Sequence, residues 1–271
     1  SKIEEEALFM VALSRSKNTL YLTHTDEMHP YLEKISDDCE DLPTVVSKAD
    51  NDDFDDFIFY EKEETNLFAV GQQWVGENFS IENSKLFQIN FPNVVANSNM
   101  SVKVRGVASS ALSSSMNVNV NGQDLYTLTY FGASSLTLAN TAVRTKATTA
   151  SAIINITIDY NNGGNPAAKA YLDYIEIVGE KNLKATANQF LFRSFDAATT
   201  NGIVEYQIQN SNNISQIWDV SNGVNPTSII NQSTGSNFVF KANGGVLKEY
   251  AVINSSDFFI PKKDRTSITN Q

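Results

Sequence analysis

The sequence predicts a mainly β protein: a β-sandwich or jelly-roll domain, then a second, smaller β domain, with a short α-helical N-terminal leader. Three observations predict it. Apolar residues alternate with polar ones in short runs, the period of a half-buried strand. Gly, Asn and Pro punctuate those runs at turn positions. Ser, Thr and Asn stand where long helices would carry Ala, Leu, Glu and Lys.

The 271 residues leave room for one large or two modest domains. The net charge of -11 is placed unevenly. Residues 1–66 hold 18 Asp and Glu against 6 Lys and Arg, whereas residues 67–271 hold 13 against 14. The acidity therefore belongs to the N-terminal part. The β body carries no Lys/Arg stripe, so no nucleic-acid footprint is expected there. A single cysteine, Cys39, excludes an internal disulfide. No apolar run reaches the roughly 18 residues of a membrane span. The start, SKIEEEALF, is too acidic for a signal peptide, so an export signal would lie outside these residues.

The leader is expected over residues 1–47. Glu4, Glu5 and Glu6 suit the positive end of a helix dipole, and Ile3, Ala7, Met10 and Val11 share one face. Leu20 to Leu22 read as a short strand, and a brief second helix follows Pro30. His24 and His29 are five apart; as a metal site they lack a fourth ligand and a rigid frame, and they read as loop residues. Residues 48–56 form an acidic connector. Counted from Asp50 as a calcium loop, the twelfth position is Glu61 as required, but Asp55 stands where the obligatory Gly belongs. A solvated connector is expected, and no metal or cofactor.

The first β domain is expected over residues 57–180. Phe57 and Phe59 alternate with Ile58. Lys85 to Phe91 sets Phe87, Ile89 and Phe91 on one face. Ser101 to Val107 and Met116 to Val120 alternate in the same way. Asn121-Gly122 is a type I′ turn signal into Asp124 to Tyr130. Ser151 to Tyr160 puts Ile154, Ile156 and Ile158 on one face. Ala170 to Val178 is expected to put Tyr171, Asp173, Ile175 and Ile177 opposite Leu172, Tyr174, Glu176 and Val178. Asp159 and Asp173 flank the NNGGNP loop, as hydrogen-bonded carboxylates or cation ligands. Tyr126, Tyr130 and Phe131 fit a core, or the aromatic surface of a carbohydrate-binding module.

The second β domain is expected over residues 181–260, with strands at Gln189 to Phe195, Ile203 to Ile208, Ile217 to Val220, Phe238 to Phe240 and Tyr250 to Ile253. Residues 261–271 read as a linker.

Two resemblances add to this. Val11, Ala12, Ser14, Arg15, Ser16 and Lys17 resemble the last motif of superfamily 1 (UvrD-like) helicases, where the arginine matched by Arg15 reaches the γ-phosphate of ATP. No G-x-x-x-x-G-K-[ST] loop accompanies it, so Arg15 also reads as a solvated residue at a helix end. Separately, YEKEETNLFAVGQQWVGENF, AYLDYIEIVGEKNL, QFLFRSF and IWDVSNGVNP resemble, in order and spacing over residues 50–271, the region preceding the peptidase domain of type IX secretion system sortases, which are gingipain-type cysteine peptidases. That resemblance implies a cell-surface protein that removes C-terminal sorting signals from secreted proteins. It implies an outer-membrane shuttle barrel and those sorting domains as partners. It also implies a catalytic Cys–His pair in a caspase-like domain beyond Gln271. Residues 50–271 contain neither Cys nor His, so they are expected to be catalytically silent. A helicase motif belongs in the cytosol and a sortase outside it; a join between unrelated segments is expected near Leu42 to Lys48.

Overall fold

A computed structural model of the chain describes residues 49–67, 74–134, 137–187, 189–233 and 235–257. The chain divides into two units, Ser1–Val46 and Ser47–Gln271, and all described residues belong to the second. The expected leader helix, Arg15, His24, His29 and Cys39 lie outside the described residues.

Fifteen strands are described, in this order. They begin with β1 (Ala49–Asn51), β2 (Asp53–Glu61), β3 (Ser84–Asn90), β4 (Asn99–Ser109) and β5 (Ser114–Val120). Next come β6 (Gln123–Tyr130), β7 (Asn140–Thr149), β8 (Ile153–Asn161), β9 (Lys169–Asn182) and β10 (Gln189–Arg193). One short helix, α1 (Phe195–Thr199), precedes β11 (Ile203–Ile208), β12 (Gln216–Asp219), β13 (Thr227–Ile230), β14 (Phe238–Asn243) and β15 (Glu249–Ile253). The fold is mainly β, as the alternation implied.

The strands form three sheets. An eight-stranded sheet runs β13-β12-β15-β10-β2-β9-β4-β7, a four-stranded sheet β3-β8-β5-β6, and a three-stranded sheet β1-β11-β14. Between these strands every pairing is antiparallel except β1 on β11, which is parallel. Two cores follow. Val102 and Val104 of β4 and Ile175 and Ile177 of β9 meet Phe87, Met116, Leu128, Ile154 and Ile156 of the four-stranded sheet. Phe192 and Tyr250 of the eight-stranded sheet meet Val204, Tyr206, Phe238 and Phe240 of the three-stranded sheet. In this second core Tyr206 stacks on Phe240 at 4.9 Å and Phe192 on Tyr250 at 5.1 Å; offset ring pairs of this kind add about 1 kcal/mol each beyond area burial.

β2 belongs to both sandwiches. Its first half sends Phe54 into the second core, against Phe190 and Phe192 at 6.2 and 6.1 Å. Its second half lays Ile58 and Tyr60 against the first core. Continuous pairing with β9, from Asp53 opposite Asn182 to Glu61 opposite Tyr174, makes this possible. β10 touches β2 in register only where Arg193 faces Asp55.

Several local features have clear causes. Asn121 and Gly122 both have positive φ, 49° and 86°, as a two-residue type I′ hairpin between β5 and β6 requires. Gly106 lies where an added Cβ would stand 2.5 Å from the Tyr130 hydroxyl and 2.9 Å from Met116 Sδ, so only glycine lets β4 approach β5 and β6 there.

The structure corrects the alternation expected for β9. Arg105 faces Tyr174 and Gly106 faces Leu172, which leaves Asp173 as a bulge residue. The bulge re-phases the strand, so Leu172 shares the core with Ile175 instead of opposing it. The strand expected to run to Phe195 stops at Arg193. Ser194 caps α1, its hydroxyl accepting from the Ala197 amide at 3.2 Å. The strands β1, β7 and β13 went unread in the sequence.

Candidate functional site

Beyond Glu61 the chain leaves the sheet, and Thr65 and Val75 close a bridge through mutual backbone bonds of 2.9 Å. It then returns beside β9, where the Gly76 amide donates to Leu172 O at 2.8 Å, the Leu172 amide to Glu77 O at 3.0 Å, and the Phe79 amide to Ala170 O at 2.8 Å. Gly76 is buried, and a Cβ there would stand 3.0 Å from Lys62. This return sets Glu77 beside the end of β2. Its carboxylate accepts from the Tyr60 hydroxyl and pairs with Lys62 Nζ at 3.0 Å. Burial alone would raise the Glu77 carboxyl. The Tyr60 hydrogen bond and the Lys62 ammonium outweigh it and hold the group below the usual carboxylate range. The same contacts push Lys62 up, Glu77 first among them. Burial, then the Glu77 contact, raises the Tyr60 hydroxyl.

On the facing sheet, Lys85 Nζ pairs with Glu82 at 2.8 Å and lies 5.8 Å from the centre of the Phe79 ring. A cleft of about 500 Å³ opens between the two groups, lined by Tyr60, Lys62, Glu77, Glu82, Lys85 and Leu86 among others. Both of its ammonium groups are matched by carboxylates. Its lining is therefore polar and internally paired, with the Tyr60 hydroxyl and both ammonium groups held by carboxylates. Nothing in the spacing of Tyr60, Glu77 and Lys85 foretold it; the return beside β9 creates it.

The outer face of β2 is a second exposed feature. Phe57 and Phe59 are 51% and 47% exposed. Phe59 packs on Tyr174 at 5.0 Å, and the Arg193 guanidinium lies 5.5 Å from both the Phe57 and Phe195 rings. Lys103 and Arg105 lie 5.7 and 6.0 Å from the Tyr174 ring, so cations cover much of this aromatic surface.

The residues singled out in the sequence fall elsewhere. Tyr126 and Tyr130 are 6% and 1% exposed and face the first core. The Tyr126 hydroxyl donates to Val102 O at 3.0 Å, and that of Tyr130 points to Met116 Sδ at 3.2 Å. Burial raises both hydroxyls. Neither ring offers a platform to a sugar, and the phase of Leu128 between them was the signal for burial. Phe131 is exposed. Asp173 pairs with Arg105 at 3.1 Å in mid-strand, away from the NNGGNP loop. From Asp50 to Glu61 the chain runs through β1 and β2, so it does not coil around a cation. Asp56 pairs with Lys181 at 2.6 Å, and Asp55 accepts from the Phe195 amide at 2.7 Å. Burial first, then Glu180, Asp52, Asp196 and Asp55, raises the Asp53 carboxyl to about 6. Among the described residues no group of three His, Cys, Asp or Glu is placed to hold a metal ion.

No protein-family model matches the chain, and no curated protein matches it in sequence. Among solved structures, the fold is similar to that of dimeric latent PorU from Porphyromonas gingivalis, with a TM-score of 0.66 and 14% identity over 77% of this chain and 21% of that one. The chain thus spans about a fifth of that protein's length, and the likeness is one of fold. Smaller overlaps are found with the CBM36-1 domain of a multidomain xylanase from the hindgut metagenome of Trinervitermes trinervoides, at a TM-score of 0.30, 15% identity, 45% of this chain and 95% of that one. Another is with CBM35 of Cellvibrio japonicus Abf62, at 0.33, 9%, 47% and 97%.

Proposed function

We propose that this chain is the non-catalytic scaffold portion of a type IX secretion system sortase, a cell-surface cysteine endopeptidase that removes C-terminal sorting signals from secreted proteins. The observation that carries the reading is the double sandwich threaded by β2, a fold shared with PorU over 77% of the chain. The order of the motifs from Tyr60 to Pro226 supports it. Residues 50–271 hold no Cys or His, so on this reading the reacting thiolate and its base come from another part of the sortase. The scaffold's work is to hold the peptidase domain and to meet the shuttle barrel or the sorting domain of the secreted substrate. The location is the cell surface, reached by export. Among the described residues no helix is long and apolar enough to cross a membrane.

The test is size-exclusion chromatography with light scattering on the chain mixed with a sortase peptidase domain of the gingipain type, alongside a turnover assay on a peptide spanning a sorting-signal cleavage site. The reading expects a one-to-one complex and no turnover from the chain alone. Turnover without the peptidase domain, or sugar binding on a glycan array with no complex formed, contradicts it.

A further inference from the structure

The first sandwich has two open sides, and they are finished differently. On one side β7 and β6 lie edge to edge. There the Lys146 ammonium donates to Leu125 O at 3.0 Å, and the Arg144 guanidinium reaches Thr127 O at 3.4 Å. These are outward carbonyls of β6, whose ladder lies toward β5. Basic side chains thus occupy the edge where another strand would add.

Among the described residues the other side, where β2 faces β3, carries no such staples. β3 pairs with β8 alone. The Tyr160 amide donates to Asn83 O at 2.7 Å and the Phe91 amide to Ala152 O at 2.8 Å. Those two bonds fix the parity of the ladder: the odd-numbered residues bond to β8. The amides and carbonyls of Ser84, Leu86, Gln88 and Asn90 therefore point away from it, and no strand takes them up among the described residues. The cleft of about 500 Å³ opens beside this edge. Lys85 does not guard it, because its ammonium is tied to Glu82 and held near the Phe79 ring. Glu61, Glu63 and Glu64 are exposed beside Lys62. Of these, Glu64 lies 3.8 Å from Lys62 Nζ, and with Glu77 and Glu82 it sets three carboxylates against the two ammonium groups of Lys62 and Lys85.

We propose that the outer edge of β3 takes an extended, basic polypeptide segment as a fifth strand of the four-stranded sheet. Backbone bonds at Ser84, Leu86, Gln88 and Asn90 supply the attachment, and the acidic rim selects the charge of the guest. This inference does not depend on the sortase reading; it rests on the contrast between the stapled and the unstapled sides.

The test uses an alternating Val–Lys octapeptide, a Val–Glu counterpart, and the 271-residue chain. Fluorescence anisotropy is expected to show binding of the Val–Lys peptide that weakens with salt and is at least about tenfold tighter than for the Val–Glu peptide. Amide exchange by NMR is expected to slow at Leu86, Gln88 and Asn90 when peptide is present. Leu86→Pro removes an outward amide without touching the β8 ladder, and is expected to weaken binding about tenfold or more. No binding of the Val–Lys peptide, equal binding of both peptides, or protection at Leu125 and Thr127 instead of β3 would each overturn the proposal. Should the proline variant lose its fold, the exchange pattern of the unaltered chain decides alone.

Discussion

Arg105 Nε lies 3.1 Å from Oδ2 of Asp173, at the bulge where β9 carries a residue that β4 does not match. Asp173 is buried, and a buried carboxylate without a cation is costly. The pair therefore makes the bulge tolerable, and the bulge brings Leu172 into phase with Ile175 in the core. Arg105→Ala is expected to lower stability by on the order of 2 kcal/mol, less than for a fully buried pair because the arginine is partly exposed. Urea denaturation measures it, and a loss below about 0.5 kcal/mol, the scale of a surface pair, would remove the role given to this contact.

Gly106 is tied to the same place. Gly106→Ala drives a methyl into the Tyr130 hydroxyl and Met116 Sδ, and the expected cost is about 1–3 kcal/mol. Removing the hydroxyl makes room, so Tyr130→Phe in the same chain is expected to recover part of that loss. Strictly additive effects in the double-mutant cycle would show that the two positions do not meet.

The two faces of β2 are expected to respond differently to truncation. Phe54→Ala empties a site in the second core and is expected to cost about 3–5 kcal/mol. Phe57→Ala or Phe59→Ala removes a half-exposed ring and is expected to cost less than about 1 kcal/mol each. Chemical denaturation of the three variants gives the order directly; a Phe57 loss equal to that of Phe54 would mean that its face is covered.

Asp53 gives a pH dependence with a defined sign. Its folded carboxyl is raised from 3.8 to about 6, by burial and then by the neighbouring acids Glu180, Asp52, Asp196 and Asp55. Its contribution is favourable below the unfolded value, and is lost as pH rises through about 6. Asp53→Asn is therefore expected to raise the melting temperature near neutral pH, with the gain shrinking between about 6 and 3.8. Thermal melts across that range check it; a gain that grows toward acid pH contradicts the assignment.

Much of the fold was legible, for reasons particular residues make plain. β3 and β8 each bury one face, so Phe87 and Ile89, and Ile154, Ile156 and Ile158, announced themselves by alternation. The Asn121-Gly122 turn was readable because few other residues accept its backbone. β7 was not legible: it is an edge strand with most residues exposed, so burial wrote no pattern into it. The bulge at Asp173 was hidden as well, because a period of two carries no mark of the residue that breaks it. The helix α1 left a fainter signal, Ser194 followed by Phe-Asp-Ala, that an apolar strand pattern overrode. The cleft between Lys62 and Lys85 could not be read at all, since it depends on where Glu77 returns to the sheet.

The central claim is that β2 makes one body of two sandwiches by entering both cores. Differential scanning calorimetry tests it most directly. The account predicts a single endotherm whose calorimetric and van't Hoff enthalpies agree, displaced as a whole by Phe54→Ala. Two separated endotherms, with only one displaced by that substitution, would contradict it.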